Sequence, residues 1–107
     1  MPFAKRWFFI ALTCQPCANV YADEDPCPAV GRIAEALMKR RQDGVSLQST
    51  LEVLRNVSTP ETINSYENMI MEAYDVPLFQ TEEAKRTSIG AFRDEHQLAC
   101  MKLFRQP

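Results

Sequence analysis

The sequence predicts an all-α protein: a small bundle of four short helices closed by one disulfide and preceded by a signal peptide. Three observations predict it. Apolar residues recur at helical spacing in four successive segments, each bounded by recognisable start and stop signals. No segment alternates with period two over strand length, and glycine is scarce and forms no hairpin turn pair. Beyond the leader only two cysteines remain, Cys27 and Cys100, one near each end of the remaining chain.

Residues 1–22 have the three parts of a secretory signal: a cationic start at Lys5 and Arg6, an apolar stretch from Trp7 to Cys14, and a polar end at Val20-Tyr21-Ala22. Val20 and Ala22 supply the compact residues that signal peptidase needs before the cut, so Asp23 is the expected new N-terminus. The apolar stretch is too short to anchor in a bilayer. Residues 23–107 then form a single helical domain in an oxidising compartment, where an even pair of cysteines is expected to join. A domain of about 85 residues has a small core, so a covalent clamp contributes a large share of its stability.

Pro26 and Pro28 flank Cys27, and proline suits a first helical turn, so the first helix is expected to start near Pro28. Val30, Ile33, Ala34, Leu37 and Met38 form its apolar stripe, and Gly44 ends it with a left-handed residue. Ser46 can cap a second helix whose apolar edge is Leu47, Leu51 and Leu54, fading near Asn56. Ser58-Thr59-Pro60-Glu61 opens a third, with Ile63, Tyr66, Ile70, Ala73 and Tyr74 in phase, and Val76-Pro77 stops it. Thr81-Glu82-Glu83 opens the fourth and longest, with Ile89, Phe92, His96, Ala99, Cys100 and Leu103 along one stripe. Short connections make sequential helices antiparallel or steeply crossed neighbours.

Composition is that of an ordinary globular chain, 46% hydrophobic and 24% charged, with a net charge of -2. Without Lys5 and Arg6 the balance is 10 basic against 14 acidic side chains, which argues against a nucleic-acid partner. The densest basic cluster, Lys39-Arg40-Arg41, complements the dipole at a helix C-terminus and reads as a solvated helix end.

No catalytic constellation emerges, and the protein is expected not to be an enzyme. His96 stands beside Asp94 and Glu95, but adjacent helical residues point in different directions, so it reads as a packing histidine. Cys14-Gln15-Pro16-Cys17 has redox-dithiol spacing and, with His96 and Cys100, makes a formal metal-ligand set, but no strand leads into it as redox dithiols require. The acidic pairs share no face with a histidine, and phosphate and dinucleotide loops are missing from the sequence. No cofactor and no metal are expected.

Two features point to a protein partner. Met69 and Met71 flank Ile70, and with Tyr66 and Tyr74 they make the third helix apolar over more than one face. After it comes the apolar loop Tyr74 to Phe79, whose Leu78 and Phe79 must tuck under the bundle or be displayed. Tyr66, Met69, Met71, Tyr74, Leu78 and Phe79 are therefore the candidate partner-binding residues, with burial as their alternative role.

The ordered pieces Ala34 to Arg41 with Gln42 and Gly44, Ile70-Met71-Glu72-Ala73-Tyr74 with Pro77, and Thr81-Glu82-Glu83 through Phe92 to Cys100 and Lys102 resemble a group of small exported helical proteins of unknown function from proteobacteria and their prophages. The resemblance implies compartment and fold. A second one, carried by the architecture of Cys27 and Cys100 alone, is to periplasmic acid-stress chaperones of the HdeA type. It implies unfolding at low pH, where protonation of 14 acidic side chains leaves a positive, self-repelling chain. The expected function is a periplasmic or secreted interaction protein that binds another envelope or secreted protein, with the acid chaperone as the alternative.

Overall fold

The computed structural model describes residues 25–105; the expected signal peptide, with Cys14 and Cys17, lies outside them. Four helices make up the described chain: α1 (Cys27–Gln42), α2 (Leu47–Val57), α3 (Pro60–Asp75) and α4 (Glu82–Phe104). Strands are absent among the described residues.

The boundaries follow local chemistry. Proline occupies the first turn of α1, and Asp25 Oδ1 accepts from the Cys27 N–H at 3.0 Å, satisfying one of the donors a helix start leaves open. Gly44 adopts φ 82°, the left-handed conformation expected of it after the last turn. Ser46 caps α2 by accepting from the Ser49 N–H at 3.1 Å, and Thr81 caps α4 by accepting from the Ala84 N–H at 3.1 Å. Thr59 stands at the N-cap of α3 without a side-chain cap bond to the backbone. Its hydroxyl bonds the Thr62 hydroxyl, and the Thr59 carbonyl takes the Thr62 and Ile63 N–H groups.

α1 packs against all three other helices, most extensively against α4. Cys27 is joined to Cys100, Gly31 lies against Gln97, and Glu35 stands 3.9 Å from Arg93, so positions rise along α1 as they fall along α4 and the two run antiparallel. At Gly31 the helices come so close that a methyl group would collide with the Gln97 side-chain amide. On the opposite side α2 and α3 pack against each other and against α1, enclosing a core of Ala34, Leu37, Met38, Leu54, Met69, Ile70, Ala73 and Phe92.

The α4 stripe is covered only in part. Phe92 is buried and Ile89, His96 and Cys100 are half-buried, whereas Ala99 is exposed and Leu103 is 71% exposed. Ala99 falls outside the covered face, whereas Leu103 is exposed because α1 begins at Cys27, opposite Cys100. The last turn of α4 therefore runs past the end of the helix that covers it.

Two stability outcomes are expected. Replacing both Cys27 and Cys100 by serine opens a 73-residue loop and should lower the unfolding free energy in urea by about 4 kcal/mol on the chain-entropy account. Ile70→Ala empties a fully buried site and should cost about 2–5 kcal/mol, while Leu103→Ala on the overhang should cost less than about 0.5 kcal/mol. A comparable loss from both would mean that the overhang is covered in solution.

Candidate functional site

The candidate residues divide by helical phase. At about 100° per residue, Met69 and Met71 lie roughly 200° apart around α3. Met69 belongs to the core and Met71 is 53% exposed. Tyr66 is half-buried on the side of α3 that meets α1 and α2.

Tyr74 is held from inside. Its hydroxyl donates to the Val45 carbonyl at 2.8 Å and lies 2.9 Å from Thr50 Oγ1. Tyrosine has one hydroxyl proton, so with that proton on Val45 the Thr50 hydroxyl donates to Tyr74. Arg40 Nε donates to Thr50 Oγ1 at 2.9 Å, completing a chain of donors from α1 through α2 and α3 to the turn after α1. Thr50 is buried, and these bonds compensate its desolvation.

The loop after α3 is fixed by the end of α1. Gln42 is buried, its Nε2 donates to the Pro77 carbonyl at 2.8 Å, and its Oε1 accepts from the Phe79 N–H at 3.0 Å. Arg41 Nε donates to the Val76 carbonyl at 2.9 Å, and its guanidinium lies 5.3 Å from the centre of the Tyr74 ring. Lys39 pairs with Asp43 at 2.7 Å, which holds its ammonium above the usual lysine range through the hydrogen bond and the adjacent charge. The Lys39-Arg40-Arg41 cluster is thus divided among an exposed ion pair, a buried hydroxyl and the α3–α4 loop, rather than being a uniformly solvated helix end.

Leu78 and Phe79 are consequently carried on an anchored backbone, with Leu78 exposed and Phe79 half-exposed. Beside Phe79 is a shallow depression of about 470 Å³, floored by Ala84, Ser88 and Ala91 of α4 and edged by Thr81 and Glu83. Of the six candidate residues, Leu78 and Phe79 sit together on this loop, Met71 is displayed on α3, Met69 and Tyr74 serve the interior, and Tyr66 is half-buried between α1, α2 and α3.

Gln42 and Thr50 escaped the sequence reading. The available signal was phase: Gln42 follows Met38 by four residues and Ala34 by eight, so it continues the buried stripe of α1. His96 packs as expected, 17% exposed with its ring 4.4 Å from that of Phe92. Its buried Nε2 stands 2.9 Å from Glu72 Oε1, but off the line a hydrogen bond requires. Asp94 pairs with Arg93 instead. Among the described residues there is no group of three or more potential metal ligands, and no helix is long and apolar enough to cross a membrane.

The role of Gln42 can be read directly. Gln42→Ala should cost about 1–3 kcal/mol, because it empties a buried site and strips partners from the part-buried Pro77 carbonyl and Phe79 N–H. It should also raise amide hydrogen exchange at Phe79 selectively over the core of α1. Unchanged protection at Phe79 would mean that the loop is held by something other than this side chain.

No protein-family model matches the chain, and neither the curated proteins nor the solved structures contain a significant match to it.

Proposed function

We infer that the protein is exported and acts without catalysis, binding another envelope or secreted protein through the loop after α3 and the exposed edge of that helix. The observation that carries this reading is the display of Leu78 and Phe79 on a backbone anchored by buried Gln42. Apolar side chains on a fixed backbone lose little conformational entropy when a partner covers them, so the fold has already met part of the cost of binding. The depression beside Phe79, floored by small residues of α4, is of a kind that receives a partner's side chain. The signal-like leader at residues 1–22 supports a partner of the same compartment.

A photo-crosslinking residue placed at position 78, in protein produced with its own leader, tests the reading. A discrete protein adduct is expected from position 78 and none from position 95, an exposed site on α4. The same adducts from both positions would defeat it. Apolar-dye binding that appears only below about pH 3 with the disulfide intact would favour the acid-chaperone alternative instead.

A further inference from the structure

A second concavity lies on the other side of the molecule, between α1, α2 and α3. It is a groove of about 440 Å³, within the range of small-molecule sites, which run from roughly 300 to 1,000 Å³. Its walls are largely apolar, from Ile33 and Leu37 of α1, Val53 and Leu54 of α2 and Tyr66 of α3, with the hydroxyl residues Ser58, Thr59 and Thr62 at the end near Val57. Leu37 and Leu54 belong to the core, whereas Val57 is 75% exposed, so the groove has a buried floor and an open rim.

One charge interrupts this surface. Arg40 and Thr50 line the groove where α1 turns into α2, and the bond from Arg40 Nε to Thr50 Oγ1 orients the guanidinium while leaving its two terminal nitrogens outside that bond. Among the described residues no carboxylate is paired with Arg40, and it is the charged residue of the groove lining. A guanidinium with a free planar edge matches a carboxylate bidentately. From Thr50 to Val57 the groove follows α2 for about 10 Å. That is the reach of an extended acyl chain of roughly eight to ten carbons with C–C bonds of about 1.5 Å.

We propose that this groove binds a medium-chain fatty carboxylate, with its carboxylate on Arg40 near Thr50 and its chain running along α2 toward Val57. Charge complementarity selects the head group, and the apolar walls take the tail. The site is separate from the α3–α4 loop, and its occupancy does not depend on the protein-partner reading.

Titration of the isotopically labelled protein with octanoate, decanoate and 1-octanol, followed by amide chemical shifts, tests the proposal. Saturable shifts are expected between Thr50 and Tyr66 and along the facing side of α1. Octanoate should bind at least tenfold more tightly than 1-octanol, since a charge-assisted bond is absent from the alcohol. Decanoate should bind about fifteenfold more tightly than octanoate, because each of its two added methylenes contributes roughly a fourfold gain. Arg40→Met should remove the preference for carboxylate over alcohol while the melting curve reports that the fold is kept. Val57→Glu, at the open rim, should weaken both acids and the alcohol alike without disturbing the core, because it sets a charged group against the alkyl tail rather than against the head group. Equal affinity for octanoate and 1-octanol in the unaltered protein, shifts centred on the α3–α4 loop, or no saturable binding of decanoate below its aggregation threshold would each overturn the proposal. Tighter binding of a zwitterionic lysophospholipid of the same chain length would overturn the assignment of the head group.

Discussion

The covalent tie between Cys27 and Cys100 is the constraint on which the rest of this small bundle depends. Among the described helices α4 packs extensively against α1 alone. It contributes one buried side chain, Phe92, to a core otherwise made by α1, α2 and α3. A 23-residue helix that rests on a single neighbour has no other packing to offset the entropy of ordering it. The crosslink, 5.5 Å between its Cα atoms, fixes one end of the seam, and the hydrogen bonds from Gln42 to the loop entering α4 fix the other.

Between those ends the interior is organised by two buried polar side chains as much as by apolar ones. Gln42 joins α1 to the loop before α4, and Thr50 joins α2 to α1 and α3 through Arg40 and Tyr74. Such groups add directionality that apolar packing lacks, because a register shift of one residue would leave each of them desolvated without a partner. The same two connections set the surfaces with a functional reading. One anchors the loop that carries Leu78 and Phe79, and the other orients the guanidinium in the groove along α2.

The helices, their order and the cysteine pairing were legible in the sequence because each rests on local rules. Proline at a first turn, serine or threonine before it, glycine after a last turn and apolar spacing all act within a few residues. The cysteine pairing followed from reading residues 1–22 as a leader, which left Cys27 and Cys100 of the four cysteines to join. What was not legible depends on neighbours distant in sequence. Leu103 has the phase of a core residue, yet the helix that would cover it among the described residues ends at Cys27. Gln42 and Thr50 resemble surface residues until the Pro77 carbonyl and the Tyr74 hydroxyl are placed beside them. For the candidate site, helical phase separates Met71 from Met69, but only tertiary packing decides which of the two faces outward.

The position of the crosslink also fixes how the molecule responds to tension. Cys27 opens α1 and Cys100 lies in the penultimate turn of α4, so nearly all the folded chain is inside the covalent loop. A pull applied to the segments before Cys27 and after Cys100 is carried across the sulfur bridge and bypasses the helices between them. Stretching the oxidised molecule would extend only those outer segments, and the bundle would become a load-bearing element only once the bridge is reduced.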